Sequence, residues 1–414
     1  MLIKDRLEKT SIVLLFSLAL YCLVAIFITP VSKDEKSYHY PNAQRITLKG
    51  IVNQDSSYSS AYPPLPYLIG NQLLKLYNSI YVLRLLNFVM AVFLAYVLFV
   101  ISKAISQQPF TITLLIVSNP YLLRSAFTYH MFNYGLLMAS IGIYFYFFSR
   151  MKRKRLLSHF AFGSAILFQQ WMIVVAFSIF WLDLFKALKP PADACKIAKN
   201  IGLKFLVLLP PFCLFISWRG FTHPNFQSHS LQPSFEHLTG TLANWGLIAG
   251  LIALFNVKFF FKRKSIPLIL SLPLIYFSVP EHSMGHGIRV ITGGAAQIAK
   301  QTQHYLLVPY QLTFVLFAFL GLMAFLLILN KGPDFIDIFL KLSLVGFLAA
   351  FSASSRLSAA HVFISMPFLI MIFRMDIFRN PVLKYLFVSQ CYGVSLLYVS
   401  YYVFFVTRGM GLLA

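Results

Sequence analysis

Apolar stretches of about 20 residues, the length that carries a helix across a bilayer, recur along this chain from residue 11 to residue 406. Residues 11–29 and 80–101 read as single spans, followed by spans at 110–124 and 131–149. Residues 157–186 are too long for one crossing and carry Gln169-Gln170 midway, which predicts two short or broken helices hinged at that pair. Further spans are expected at 201–218, 240–257, 266–279, 311–330, 335–353, 360–374 and 383–406, about thirteen in all. Three polar segments exceed ordinary hairpins: 30–78, 219–239 and 280–310. The pattern predicts an all-α, polytopic transmembrane protein, one integral membrane domain over residues 1–414 with a helical first loop.

Composition agrees. The chain is 58% hydrophobic and 11% charged, with a mean hydropathy of +0.73, against roughly half apolar and a quarter charged in soluble domains. Its net charge of +23, from 35 Lys and Arg against 12 Asp and Glu, would suggest nucleic acid in a soluble protein. Here the basic residues fall between alternate spans: Lys152 to Arg155, then Lys186, Lys189, Lys196 and Lys199, then Lys262 to Lys264. They read as cytoplasmic anchors, which removes nucleic acid as a partner and leaves membrane lipid. This sidedness puts the amino terminus inside, with Ile12 to Thr29 as an uncleaved signal anchor, and delivers the three long segments to the outer face. Cys22, Cys195, Cys213 and Cys391 form neither a CxxC pair nor a metal-ligand spacing. No N-x-Ser/Thr acceptor occurs, which leans towards a prokaryotic cytoplasmic membrane over the endoplasmic reticulum. No internal repeat is visible, which disfavours a transporter of duplicated halves.

On this topology only Asp34, Glu35, Asp55, Glu236 and Glu281 are outward acids, and every histidine except His159 lies in or beside an outward segment. Asp34 and Glu35 directly follow the first span, where partial desolvation tunes a carboxyl towards a useful base. The ordinary alternative is a solvated pair flanked by Lys33 and Lys36. After it, Tyr38 to Arg45 predicts a short interfacial helix, with Pro41 in its first turn and His39, Gln44 and Arg45 as polar heads. Ala61-Tyr62-Pro63-Pro64-Leu65-Pro66-Tyr67 is a stiff aromatic approach to the next segment. In the third loop, His282 and His286 have an i, i+4 metal-binding spacing, although the surrounding Gly and Pro oppose a helix. The same glycines, with Arg289 and Lys300, suit an anionic group. His304, Arg356 and His361 place further polar or cationic groups at the outer boundary.

The acidic pair and its surroundings resemble the first outward loop of GT-C glycosyltransferases, polytopic enzymes that use a polyprenyl-phosphate sugar and carry an essential acid there. Asp34-Glu35 with His39, Pro41, Ala43-Gln44-Arg45, Pro63-Pro64 and Tyr67 is most similar to the eukaryotic α-1,2-glucosyltransferases that add the last glucose to the dolichol-linked oligosaccharide. Leu83-Arg84-Leu85-Leu86-Asn87, Asn119-Pro120-Tyr121 with Tyr129, Phe168-Gln169-Gln170, and Gly287-Ile288 through His304 to Pro309-Tyr310-Gln311-Leu312 are similar to later motifs of that family. Two acidic positions of the family are taken here by His130 or Met131 and by Gly294.

The resemblance implies a GT-C-like fold and transfer of a sugar, glucose in that family, from a polyprenyl-phosphate donor to an outward-facing glycan or lipid-linked acceptor, with inversion. Asp34 is then the general base and Glu35 orients the acceptor or a divalent metal. His39, Gln44, Arg45, Tyr67 and His361 are candidate substrate-binding residues, and Arg289, Arg356, His304 and Lys300 are the phosphate-side candidates. No cofactor is required by this scheme, and a divalent metal remains an option. The alternatives are a transporter or flippase for a lipid-linked or anionic solute, and a noncatalytic assembly subunit.

Overall fold

Helices make up almost all of the regular structure in the computed structural model, which describes residues 2–53, 57–187, 194–225, 232–256, 265–282, 290–330, 332, 334–354, 357–374 and 381–404. Among the described residues seven helices are long and apolar enough to cross a membrane, or eight if one bent pair counts as a single span. The chain is an all-α polytopic membrane protein. The other expected spans form helices that are shorter or bent. The chain divides into two compact units, Met1–Ser228 with Val388–Ala414, and His229–Phe387.

In the first unit, α1 (Leu2–Ile28) is followed by a single π-helical turn, Glu35–His39, and by two short helices, α2 (Tyr40–Arg45) and α3 (Leu48–Asn53). The first loop is therefore helical, and Pro41 sits in the first turn of α2, where its missing N–H costs nothing. Helix α4 (Leu65–Leu76) leads to the long α5 (Ile80–Ile105). Next come α6 (Pro109–Val117) and α7 (Pro120–Phe127), bent by 74° at the break between them. The break follows from sequence: Asn119 caps α7 by accepting from the Tyr121 N–H at 3.0 Å, and Pro120 cannot continue the preceding helix. Glu8 in turn caps α6, accepting from the backbone N–H groups of Phe110 and Thr111 at 2.9 and 3.2 Å.

Helix α8 (Phe132–Phe147) precedes the expected broken hairpin, which forms as α9 (Lys154–Phe168) and α10 (Ile173–Ala187), separated by extended Gln169 and a 3-10 turn. Each has 15 residues, or about 22 Å at 1.5 Å per residue, less than the roughly 30 Å hydrocarbon core. Helix α11 (Ala194–Trp218) completes the series.

The second unit centres on α12 (Phe235–Phe255), started by the Ser234 cap. It is followed by α13 (Ser265–Phe277), α14 (Gly294–Leu306), α15 (Tyr310–Leu329), α16 (Phe335–Ser352), α17 (Ala359–Phe363) and α18 (Met366–Phe373). Helices α12 and α15 touch backbone to backbone. A Cβ on Gly246 would lie 1.8 Å from the Phe317 carbonyl oxygen, and one on Gly321 would lie 1.8 Å from that of Leu242, so only glycine permits the crossing. A small parallel sheet, unforeseen from the sequence, joins β1 (Glu281–His282), β2 (Val290–Thr292) and β3 (Leu357–Ser358). The segment 280–310 is thus not only loop. Gly294, at φ +54°, turns the chain into α14 over Asn244, whose side chain accepts from the Ala295 N–H at 3.1 Å. A Cβ at position 294 would meet Asn244 Oδ1 at 1.9 Å, so glycine is the residue that fits there. The last helix, α19 (Pro381–Phe404), runs on into the first unit, where Tyr392 reaches Ser17 at 2.7 Å.

Candidate active site

The segment leaving α1 is turned back by a capping box. Ser32 Oγ accepts from the Glu35 N–H at 3.2 Å, and Glu35 Oε2 accepts from the Ser32 N–H at 2.9 Å. The π turn then rotates the register so that Glu35 and His39 both face inward, while Asp34 faces out. The two neighbouring acids consequently meet opposite environments.

Glu35 is locked. Its Oε1 accepts from Arg84 Nε and the Tyr129 N–H, both at 2.8 Å, and its Oε2 accepts from Arg84 Nη2 at 2.7 Å as well as from Ser32. Arg84 spends its other donors on the carbonyls of Ile26, Thr29 and Pro30, which close the end of α1. All five guanidinium N–H groups are placed, and the Arg84 and Glu35 side chains are 0% and 1% exposed. Burial by itself raises the Glu35 pKa, but Arg84 and the backbone N–H groups of Tyr129 and Ser32 outweigh it and hold the carboxyl below its ordinary range. With four protein donors on its two oxygens, Glu35 has no lone pair left for an acceptor hydroxyl or a metal. The expectation that it orients either one gives way to a structural role.

Asp34 is available. Its side chain is 50% exposed, and Arg124 Nη2 donates to Oδ2 at 2.9 Å. The Oδ1 atom receives no hydrogen bond from the described residues. Arg124 is itself steadied by the face of Tyr402, 4.6 Å from the ring centroid. Asn87, one turn beyond Arg84 on α5, donates to the carbonyls of Thr128 and His130 at 2.7 and 2.8 Å and so fixes the turn that offers Tyr129 N–H to Glu35.

His39 and Tyr67 do come together. His39 Nδ1 and the Tyr67 hydroxyl are 2.8 Å apart, and the same hydroxyl is 2.8 Å from Ser60 Oγ. The His39 ring stands 4.9 Å from that of His130, which stacks on Phe132 at 4.4 Å, with Tyr62 5.7 Å from His130. Burial takes the His39 pKa down to about 4, against the Asp34 and Glu35 carboxylates, which favour its charged form. His39 is a neutral hydrogen-bonding group at pH 7. Tyr67 is likewise pushed up by burial. Gln44 and Arg45 are exposed on α2, Gln44 donating to Asn78 Oδ1 at 3.2 Å. A His whose folded pKa lies below its unfolded value of 6.5 supports the fold fully above pH 6.5, and that support is lost as pH falls towards 4. The apparent melting temperature in detergent should therefore fall between pH 6.5 and 4.5, and His39→Gln should remove part of that slope. An unchanged slope would show that His39 is not buried neutral.

No protein-family model, curated protein or solved structure matches this chain.

Among the phosphate-side candidates of the second unit, Lys300 and His304 lie exposed, one turn apart on α14, with the His304 ring 4.7 Å from that of Tyr305. His361 is half-buried on α17, which packs against α14. Arg289, Arg356, Asp55 and His286 lie outside the described residues. His282 is in a strand, not a helix, so the helical i, i+4 ligation does not form at its first member. Among the described residues no three His, Cys, Asp or Glu side chains come together to hold a metal. Two other histidines serve packing. His223 Nε2 is 3.1 Å from the Gly50 carbonyl between the rings of Tyr58 and Trp218, and His237 Nδ1 is 2.6 Å from the Ser354 carbonyl.

Arg84, quoted in the sequence only as part of a motif, and Arg124 are the site residues to which sequence reading gave no role. Ser32-x-x-Glu35 was a readable capping signal, and it would have marked Glu35 as structural.

Proposed function

We propose that the chain is a GT-C-type glycosyltransferase in which Asp34 deprotonates an acceptor hydroxyl as it displaces a polyprenyl phosphate, with inversion at the anomeric carbon. The observation that carries this reading is the asymmetry of the acidic pair: Glu35 is saturated and buried, whereas Asp34 is half-exposed with Oδ1 open. A single displacement needs one base, and among the described acids of the loop Asp34 is the one with an open oxygen. Arg124 fixes the carboxylate in place, so Oδ1 needs little reorganisation to take the proton. The aromatic group of Tyr62, His130 and Phe132 offers apolar ring faces suited to a sugar. The proton moves from acceptor oxygen to Asp34, the acceptor oxygen bonds the anomeric carbon, and the leaving phosphate takes the bonding pair. In this reading the shorter helices complete about thirteen membrane segments, the first loop faces outward, and the donor sugar is glucose, as in the most similar family.

Purified protein incubated with a panel of polyprenyl-phosphate sugars and a lipid-linked oligosaccharide should consume one donor and release polyprenyl phosphate, read by mass spectrometry. Failure of every donor would favour a transporter or an assembly subunit.

A further inference from the structure

The carboxyl-terminal helix carries hydroxyls that no step of the proposed transfer uses. Tyr392, Ser395, Tyr398 and Tyr402 recur every three or four residues on α19 and so share one face of that span. Hydroxyls on a membrane helix bond across to a neighbouring helix. Tyr392 meets Ser17 on α1, and Ser395 Oγ donates to the Ser118 carbonyl at the break before α7. The stripe thereby joins α19 to the two elements that deliver the paired charges: α1, which runs into the turn of Asp34, and α7, which carries Arg124.

The stripe ends on Arg124. The Tyr402 ring, 5% exposed, has the guanidinium over it at 4.6 Å from the centroid. The Tyr398 ring lies 6.4 Å from that of Tyr402 and 5.6 Å from that of Tyr121, which precedes Arg124 by one turn of α7. The Tyr398 phenol also interacts with the guanidinium, and the Tyr402 phenol with the Ser32 side chain, in the turn that carries Asp34. The two arginines of the site are held by different means. Every N–H of Arg84 meets an oxygen, whereas Arg124 Nε is buried without a hydrogen-bond partner. Beyond Asp34, the Arg124 guanidinium rests on the phenols of α19, a flat cation over a ring face.

We propose that Tyr402, supported by Tyr398, is a positioning residue: it holds Arg124 in the rotamer that fixes Asp34 Oδ2, so that the carboxyl-terminal helix belongs to the catalytic unit. The proposal rests on the reading of Asp34 as the base. Tyr402 acts through Arg124. A long arginine side chain gives up its rotamer freedom only against a fixed surface, and the ring supplies that surface.

The test compares full-length variants, at equal amounts of folded protein, by polyprenyl-phosphate release from the active donor and by phenylglyoxal labelling of Arg124 read by mass spectrometry. Tyr402→Leu should lower kcat by about 10- to 100-fold, the cost of a misplacement on the order of 1 Å, with KM within about twofold. Tyr402→Phe keeps the ring face and should stay within about threefold of wild type. In an Arg124→Gln background Tyr402→Leu should cost no further rate, because nothing is left for it to position. Arg124 should be labelled about tenfold faster in Tyr402→Leu, while Arg84, 0% exposed, should stay unlabelled in every variant. Should Tyr402→Leu fail to fold, Tyr402→Met, closer in volume and without a ring, carries the same comparisons. Equal losses with Leu and Phe, or an additive loss in the Arg124→Gln background, would reduce Tyr402 to packing and overturn the proposal. Unchanged labelling of Arg124 would do the same. A wild type that releases polyprenyl phosphate from no donor overturns the reading of Asp34 instead, and the labelling then decides the clamp by itself.

Discussion

Glu35→Gln is expected to destabilise the protein by about 3–5 kcal/mol, the range for removing one partner of a fully buried ion pair. The reason is local and countable. Arg84 remains buried with its charge uncompensated, and the amide that replaces the carboxylate brings an NH₂ against the donors that Arg84, Ser32 and Tyr129 direct there. Arg84→Met should be worse, because it also strips the carbonyls of Ile26, Thr29 and Pro30 of their donors at the end of α1. Both variants should show a lower melting temperature and less monodisperse protein in detergent. The double variant should be less destabilised than the sum of the two, since the residues share one network. A Glu35→Gln protein that melts like the wild type yet transfers no sugar would move the base from Asp34 to Glu35.

The helical architecture was legible because its signals are local. Gln169-Gln170 interrupts an apolar run too long for one helix, and the chain breaks there. Pro41 falls where a first turn tolerates it, and α2 begins beside it. Span lengths were less legible, since hydropathy does not distinguish a straight crossing from two short helices bent by 74° at Asn119-Pro120. Gly293-Gly294 looked like a flexible loop or an anion cradle, whereas Gly294 starts a helix at positive φ because Asn244, 50 residues earlier, occupies the space of a Cβ.

The acidic pair shows the limit most clearly. Adjacent Asp and Glu are chemically alike in a sequence, and what separates them is Arg84, 49 residues away, together with one π turn. Residue scarcity picked out the acidic pair as the candidate, but the different surroundings of its two members needed the partners. Arg124, 90 residues from Asp34, was invisible for the same reason. The ranking of Asp34 over Glu35 now rests on geometry: one oxygen held, one oxygen open, half the side chain in solvent.

Asp34→Asn should lower transfer by about 100- to 10,000-fold, the contribution of a positioned general base. The fold should change little, because the amide oxygen still accepts from Arg124 and Asp34 is half in solvent, where an ion pair contributes about 1 kcal/mol. The variant separates chemistry from folding in a way that Glu35 and Arg84 variants cannot. The most direct measurement is therefore the rate of polyprenyl-phosphate release from the active donor by equal amounts of folded wild-type and Asp34→Asn protein. A drop of at least about 100-fold with an unchanged melting temperature is predicted, and transfer within a few-fold of wild type would contradict Asp34 as the base.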